Sequence, residues 1–188
     1  MPQVRLLTPR RHGDERGWFS ETFNARGLAE KGIDLAFVQD NHVLSHAIGT
    51  LRGLHFQAPP HAQAKLISCV RGAIFDVAVD LRKGSPTYGR WVGAELSAAN
   101  GRQLFVPVGF AHGYLTTEAE TQVFYKVSEY YAPDCEGGLR FDDADIGIDW
   151  KLPVSGAILS KKDRALPLLR DFESPFAYDG RPLLALDP

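Results

Sequence analysis

The stretch KLISCVRGAIFDVAVDL, residues 65–81, decides the fold class of this chain. It contains two mostly apolar runs, 65–70 and 73–81, which are separated only by Arg71-Gly72. Short runs rich in β-branched and aromatic residues are typical of β-strands, and a glycine between two of them is typical of a turn. The stretch therefore predicts two β-strands that are joined by a tight turn.

The same pattern continues on both sides of this stretch. From about residue 35 to residue 131, short apolar runs with period-two alternation are separated by Gly, Pro and Asn. Further strands are predicted at residues 91–96, 103–106 and 123–127, and further turns at 83–86 and 100–101. Evenly spaced short strands over ~100 residues predict an all-β sandwich or barrel, and an antiparallel jelly roll is the best interpretation.

Helix is predicted at only two short places. Residues 24–31 begin with an asparagine suited to cap a helix and are followed by Gly32, which is suited to end it. Residues 160–165 predict a short helical turn. No linker and no internal repeat interrupts the pattern, so we expect a single domain over residues 1–188.

Composition limits the classes of function. The chain has 188 residues, of which 44% are hydrophobic, enough for a sizeable core. Its 21 basic and 23 acidic residues leave a formal charge of −2, which argues against a nucleic-acid partner. Without an apolar signal region or the ~20 apolar residues of a membrane helix, we expect a cytoplasmic protein with no membrane partner. Cys69 and Cys135 lack the spacing of redox or disulfide motifs, so both are expected to be reduced.

The run LRGLHFQ, residues 51–57, carries the candidate chemistry. It places His55, a side chain that titrates near neutrality, close to Arg52 and ten residues before Lys65. A base with two cations is suited to remove a proton from carbon beside a carbonyl while it holds an anionic ligand. The alternative is a core histidine that donates to a backbone carbonyl, with ordinary surface charges nearby.

Strand alternation creates a difficulty for this grouping. It places Arg52 and His55 on opposite faces of one strand. A bulge at Gly53 would rotate the register and bring both side chains to one cavity. Otherwise Arg52 would reach the site of a neighbouring subunit.

The segment GRQLFVPVGFAH, residues 101–112, fits G-x5-P-x-G-x2-H and resembles the second half of the cupin signature. The first half, G-x5-H-x-H-x3,4-E, is matched by Gly49 and His55, but Gln57 stands at the second histidine and no glutamate follows. Only His55 and His112 remain as good ligands, fewer than a divalent metal prefers. We therefore expect a cupin-type barrel that has lost its metal site; the alternative is a metal-bound site in which Gln57 or His61 substitutes for the missing ligands.

Several segments in one order carry a closer resemblance. They are DERGWFSE (14–21), FVQDNH (37–42), LRGLHFQ (51–57), KL (65–66), FDVAVD (75–80), PVGFAHG (107–113) and YK (125–126). On these segments the chain resembles the dTDP-4-dehydrorhamnose 3,5-epimerases. The resemblance implies a jelly-roll homodimer that binds a dTDP-4-keto-6-deoxyhexose and needs no metal or organic cofactor.

The resemblance implies epimerisation at C3 and C5 of dTDP-4-dehydro-6-deoxy-D-glucose to dTDP-4-dehydro-L-rhamnose, in dTDP-L-rhamnose biosynthesis. Both carbons flank the C4 ketone, so removal of either hydrogen gives an enolate. The reaction needs a base on one face of the ring, a cation or donor at the C4 oxygen, and an acid on the opposite face.

The resemblance also implies roles for individual residues. His55 matches the base, Asp163 the carboxylate that orients it, Lys65 the group at the enolate oxygen, and Tyr125 the acid. Matched substrate-binding positions are Arg16, Glu21, Gln39, Asn41, Arg52, His112, Glu136 and Lys162. We add Tyr131 to the binding residues, because it shares strand parity with Tyr125.

Each role has an alternative when the residues are taken alone. Tyr125 would be a barrel-lining aromatic, Asp163 a solvated ion-pair partner in a lysine-rich turn, and Arg16 an ordinary turn arginine. Asp76, an acid on an apolar strand, is a rival partner for a histidine. Two alternative functions also stay open: a 3- or 5-monoepimerase on a related sugar nucleotide, and a noncatalytic sugar-nucleotide-binding cupin.

Overall fold

The computed structural model describes residues 3–186. Its strands are β1 (Arg5–Leu7), β2 (Arg11–Asp14), β3 (Gly17–Ser20), β4 (Gln39–Ser45), β5 (Leu51–Gln57), β6 (Lys65–Arg71), β7 (Ala73–Asp80), β8 (Trp91–Ser97), β9 (Gln103–Val106), β10 (Phe110–Thr116), β11 (Thr121–Val127) and β12 (Glu136–Gly138). Its α-helices are α1 (Ala25–Glu30) and α2 (Lys161–Arg164), and single 3-10 turns lie at Pro133–Cys135, Val154–Gly156 and Leu169–Asp171.

The strands form two five-stranded antiparallel sheets and one hairpin. Sheet 1 has the order β1-β9-β6-β11-β4, sheet 2 has the order β12-β5-β10-β7-β8, and β2 pairs with β3. A shared apolar cluster joins the sheets, since Ile67 and Val123 of sheet 1 pack in it with Ile74 and Phe110 of sheet 2. The predicted antiparallel jelly roll is confirmed.

The deciding stretch, residues 65–81, connects the two sheets. The predicted strands are present as β6 and β7, and the chain turns between them at Arg71-Gly72, where Gly72 has a φ of +73°. The two strands do not pair with each other: β6 pairs with β9 and β11, whereas β7 pairs with β8 and β10. The turn therefore carries the chain from one sheet of the sandwich to the other.

Both predicted helices are confirmed, the first with its predicted cap. The Asn24 side chain accepts a hydrogen bond from the backbone N–H of Gly27, and α1 ends at Glu30, two residues before Gly32. The Ser160 hydroxyl accepts a hydrogen bond from the backbone N–H of Asp163 and so caps α2.

The predicted bulge at Gly53 is confirmed by the register between β5 and β10. His112 lies opposite His55 and Tyr114 lies opposite Arg52, so β5 has one residue more than β10 between these two pairs. Gly53 has a φ of +128°, and a Cβ there would lie only 2.5 Å from the Gly113 Cα. Only glycine fits this position, and the bulge turns Arg52 to the same cavity as His55.

Two other expectations concern the chain as a whole. Cys69 and Cys135 carry free thiols, the first buried and the second partly exposed. Among residues 3–186, no helix has the length and apolar character needed to cross a membrane.

Candidate active site

Two adjoining cavities lie between sheet 1 and sheet 2, and both have His55, Lys65 and Tyr125 in their walls. We call the pair the cleft. The wider cavity, of about 340 Å³, is also lined by Gln39, Asn41, Gln57, Gln63, Tyr131 and Glu136. The second, of about 300 Å³, is also lined by Arg52, His112, Tyr114, Lys162 and Asp163. Most of the residues singled out in the sequence therefore meet in one place.

His55 is paired with Asp163 inside the cleft. Its Nε2 lies 2.8 Å from Asp163 Oδ1, and Asp163 itself is only 4% exposed. Burial acts to raise the pKa of Asp163, but the hydrogen bond and charge of His55, together with hydrogen bonds from Ser160 and the Gly53 backbone, outweigh it and hold that pKa below its ordinary value. An ionised carboxylate accepts the Nε2–H, so the lone pair of a neutral His55 ring lies on Nδ1.

Asp76, the rival partner in the sequence, is paired with the other histidine of the cleft. Its Oδ1 lies 2.7 Å from His112 Nε2, and both side chains are buried. Burial raises the pKa of Asp76 and lowers the pKa of His112. The two histidines thus differ in access: the His55 side chain keeps 27% of its surface exposed, and the His112 side chain keeps 8%.

Lys65 places a cation beside the histidine backbone. It is the first residue of β6, and its Nζ lies 3.4 Å from the His55 carbonyl oxygen. Burial lowers the pKa of Lys65 to about 8, while the carboxylates of Asp76 and Glu136 act in the opposite direction. The side chain is therefore mostly an ammonium at pH 7, held close to the point where it loses its proton.

Tyr125 faces the cleft from the sheet opposite His55. It lies on β11 of sheet 1, whereas His55 lies on β5 of sheet 2. Burial raises the pKa of Tyr125, and the charge of Arg52 acts against this rise without cancelling it. The phenol therefore keeps its proton at neutral pH.

Arg52 supplies a second cation. Its guanidinium lies 3.4 Å from the Ser45 hydroxyl and 3.4 Å from the Leu44 carbonyl oxygen. Within residues 3–186 it forms no salt bridge, unlike Arg82 or Arg140. Its charge is therefore available to an anion that enters the cleft.

A chain of polar contacts crosses the mouth of the wider cavity. The Tyr131 hydroxyl donates to Glu136 Oε2 at 2.8 Å, and Lys162 Nζ lies 2.6 Å from the same oxygen. Burial acts to raise the pKa of Glu136, but the bonds from Lys162 and Tyr131 outweigh it and lower that pKa. Gln39 Nε2 donates to Asn41 Oδ1 at 3.0 Å on the neighbouring wall.

The parity argument for Tyr131 is wrong. Strand β11 ends at Val127, so alternation no longer orders the side chains four residues later. Tyr131 lines the wider cavity because the irregular segment after β11 brings it there.

Two matched positions do not reach the cleft of their own chain. Arg16 lies in the turn of the β2–β3 hairpin, where its 85% exposed side chain pairs with Asp14. Glu21 lines a separate groove beside α1 and accepts a hydrogen bond from Asn24 Nδ2 at 3.0 Å. One copy of the chain therefore assembles the cleft without these two side chains.

Among the cleft residues that had no assigned role in the sequence are Gln57, Gln63 and Tyr114. The one sequence signal at Gln57 is that it stands where the cupin signature has a metal ligand. Tyr114 follows His112 by two residues on β10, and this shared strand parity was the available signal. For Gln63, in the connection between β5 and β6, the sequence offered no signal.

The donor set of the cleft does not fit a divalent metal. Residues 3–186 contain no group of three or more His, Cys, Asp or Glu side chains placed to hold one. His55 and His112 each bond to a separate carboxylate, and the Gln57 amide bonds to backbone groups. The geometry instead offers a base, a cation and a phenol around a space large enough for a sugar ring.

Comparisons with known proteins agree with this geometry. The family model of dTDP-4-dehydrorhamnose 3,5-epimerase matches residues 1–171. A dTDP-4-dehydrorhamnose 3,5-epimerase of Sinorhizobium fredii is 51% identical over 176 residues, 94% of this chain and 90% of the relative.

Two crystal structures are similar over most of their length. The dTDP-4-dehydrorhamnose 3,5-epimerase of Bacillus anthracis, with TDP and PPi bound, is 53% identical with a TM-score of 0.85, covering 88% of this chain and 94% of that one. The dTDP-6-deoxy-D-glucose-3,5-epimerase of Legionella pneumophila, in complex with dTDP-4-keto-L-rhamnose, is 43% identical with a TM-score of 0.88, covering 93% and 94%.

Proposed function

This chain belongs to the dTDP-4-dehydrorhamnose 3,5-epimerase family, and we propose that its cleft inverts C3 and C5 of dTDP-4-dehydro-6-deoxy-D-glucose to give dTDP-4-dehydro-L-rhamnose. The chain is accordingly an isomerase of dTDP-L-rhamnose biosynthesis. The observation that carries the residue assignment is the 2.8 Å contact between His55 and the buried Asp163, opposite Tyr125 on the other sheet.

His55 removes the proton. Its Nδ1 lone pair takes the hydrogen from C3 or C5, the C–H bond breaks, and the electron pair moves to the C4 oxygen as an enolate. Asp163 holds the ring in this tautomer and stabilises the imidazolium that forms. The Lys65 ammonium donates to the enolate oxygen, where negative charge develops only in the transition state and intermediate.

Tyr125 returns a proton on the opposite face of the ring. Its O–H bond breaks, a C–H bond forms with inverted configuration, and the C4 ketone is restored. The raised pKa of Tyr125 keeps this hydrogen in place until the enolate is present. Exchange with water then deprotonates His55 and reprotonates Tyr125, so the same pair is ready for the second carbon.

Cations and amides at the ends of the cleft bind the remainder of the substrate. Arg52 and Lys162 suit the diphosphate, because a guanidinium or ammonium donates several hydrogen bonds to phosphate oxygens. Gln39 and Asn41 suit the base or sugar, since an amide both donates and accepts. Tyr131 and Glu136 lie at the mouth of the wider cavity, where they would contact the bound sugar nucleotide.

Arg16 and Glu21 fit this proposal only in a homodimer. The hairpin that carries Arg16 also exposes Trp18 and Phe19, 58% and 70% of whose surfaces face solvent. Exposed aromatic side chains beside a highly exposed arginine are typical of a protein interface. We infer that the hairpin region of one copy contacts the cleft of a second copy. A sedimentation mass near the 20.8 kDa of one chain would contradict this.

Isotope exchange tests the proposed function. The protein is incubated with dTDP-4-dehydro-6-deoxy-D-glucose in deuterated water, and the product is followed by NMR. Deuterium should enter at both C3 and C5. Entry at one carbon only would select a monoepimerase, and entry at neither would leave a sugar-nucleotide-binding protein without this activity.

The pKa of Lys65 predicts how kcat/KM changes with pH on the alkaline side. Because the ammonium form stabilises the enolate, kcat/KM should fall as the pH rises through about 8, the pKa of this partly buried lysine. Tyr125 stays protonated there, since its pKa is raised. Lys65→Arg should retain its charge and lose this alkaline fall, although a bulkier donor lowers the rate overall. Lys126→Arg, which changes an ammonium paired with Asp40 outside the cleft, is the matched control. A variant profile that still falls near pH 8 would assign the fall to another group.

A further inference from the structure

Three glutamine side chains replace strand pairing just after β11. The strand ends at Val127, and the next residues, 128–132, have no regular secondary structure. In residues 129–132, every residue has one backbone group bonded to a glutamine side chain. Two of these glutamine amides donate to backbone carbonyl oxygens: Gln63 Nε2 donates to Glu129 at 2.6 Å, and Gln57 Nε2 donates to Tyr130 at 2.9 Å. The other two contacts run the opposite way: Gln39 Oε1 accepts from the Tyr131 N–H at 3.1 Å, and Gln57 Oε1 accepts from the Ala132 N–H at 2.9 Å.

Gln57 lies at the centre of this arrangement. It is only 3% exposed, and both ends of its amide are used. Besides its two contacts with residues 130 and 132, its Nε2 donates to the His61 carbonyl oxygen. One side chain therefore joins β5, the connection between β5 and β6, and the segment after β11. An amide can donate twice and accept at the same time, which a histidine at this position cannot do.

The segment 129–132 carries Tyr131, which lines the cleft. Tyr131 is 57% exposed and lies at the mouth of the wider cavity, with its hydroxyl bonded to Glu136. An exposed tyrosine on an irregular segment would otherwise sample many positions, and ordering it on binding would cost conformational entropy. Glutamine contacts to the backbone on both sides of Tyr131, made by the buried Gln57 and the partly buried Gln39 and Gln63, fix it before any ligand arrives.

We infer that Gln39, Gln57 and Gln63 are positioning residues, which hold residues 129–132 so that Tyr131 is already placed to contact the sugar nucleotide. The assignment of that ligand rests on the proposed function. The position that carries a metal ligand in the cupin signature is, in this chain, the central anchor of a binding segment. Because these glutamines act before the reaction, they should affect substrate binding more than the chemical step.

Gln57→Glu tests this inference with almost no change of shape. A carboxylate still accepts from the Ala132 N–H, but it faces the carbonyl oxygens of Tyr130 and His61 without a hydrogen to donate. We expect KM to rise about tenfold, which corresponds to about 1.4 kcal/mol of lost binding, with kcat changed less than about threefold. Gln122→Glu is the matched control, because Gln122 bonds to His42 and does not line the cleft. It should leave both constants unchanged.

A double-mutant cycle determines whether Gln57 acts through Tyr131. If it does, Tyr131→Ala should raise KM by a similar factor, and adding Gln57→Glu to it should raise KM no further. If the increases in KM of the two single variants multiplied in the double variant, the inference would be overturned. It would also be overturned if Gln57→Glu lowered kcat at constant KM or changed neither constant. Gln63→Glu, which removes a single contact to Glu129, takes the place of Gln57→Glu if that variant does not fold.

A measurement without substrate separates this inference from the proposed function. Chymotrypsin cleaves after exposed tyrosines in mobile segments, so cleavage after Tyr130 and Tyr131, located by mass spectrometry, should be faster in Gln57→Glu than in the unchanged protein and in Gln122→Glu. Unchanged cleavage would overturn the positioning role even if the enzyme is active. If Gln57→Glu were cleaved faster but the unchanged protein had no epimerase activity, the positioning role of Gln57 would stand and the proposed function would be rejected.

Discussion

The substitution His55→Ala should abolish deuterium entry at both C3 and C5 of the substrate. A positioned general base contributes a factor of about 10² to 10⁴, and no other cleft residue combines the same access with a neutral lone pair. His112 does not replace it, because its ring is buried and its Nε2 is bonded to Asp76. The rate of deuterium entry by NMR, at saturating substrate, measures the loss.

Asp163→Asn should cause a loss of similar size. An asparagine amide in place of the carboxylate permits the wrong ring tautomer and removes the charge that stabilises the imidazolium. His42→Ala is the matched control: this histidine bonds to Gln122 outside the cleft and should leave the rate unchanged. Full activity in His55→Ala would show that another group is the base.

The strands were predictable because their signals are local. Residues 65–70 and 73–81 have the composition of strands, and Gly72 marks the turn between them, as β6 and β7 confirm. Their partners were not predictable. A glycine turn permits either a hairpin or a passage from one sheet to the other, and the choice depends on pairing with strands far along the chain, such as β11 and β10.

The bulge at Gly53 was predictable for a different reason. Two side chains needed in one cavity lay on opposite faces of an ideal strand, and the glycine between them was the one residue able to resolve this. The resulting register between β5 and β10 and the φ of +128° bear it out. The need for Arg52 and His55 in one cavity therefore predicted the bulge at Gly53.

The environment of Asp163 could not be read from its neighbours. It lies among Lys161, Lys162 and Arg164, which suggests a solvated turn, yet it is 4% exposed. A one-turn helix points its side chains in different directions, and the cap at Ser160 fixes which one faces His55, 108 residues away in sequence. Only the family resemblance predicted Asp163, and not Asp76, as the partner of His55.

The two His–Asp pairs differ in what their surroundings permit. Both histidines bond a carboxylate through Nε2, but Asp163 is the carboxylate whose pKa is lowered, and Asp76 is the one whose pKa burial raises. The two histidines also differ in access, because 27% of the His55 side chain is exposed and only 8% of the His112 side chain. A general base must reach its substrate, which supports the assignment of His55 as the base and leaves His112 to line the wall.

The substitution Tyr125→Phe should leave proton removal intact and prevent inversion. His55 still removes the proton and, as an imidazolium, returns a deuteron to the same face, so deuterium enters with retained configuration. The step that needs a donor on the opposite face loses its hydroxyl, and formation of the epimerised product should fall by about 10²-fold or more. NMR distinguishes the two results, because deuterium content and configuration are read from different signals of one spectrum.

Tyr114→Phe is the matched control for this experiment. It removes a buried hydroxyl from the same cleft, on sheet 2 and not on sheet 1, and should leave both exchange and inversion unchanged. If Tyr125→Phe still formed epimerised product at the original rate, water or another donor would be the acid. If instead it lost exchange together with inversion, Tyr125 would be needed for proton removal itself, and the assignment of His55 and Tyr125 to opposite faces would be wrong.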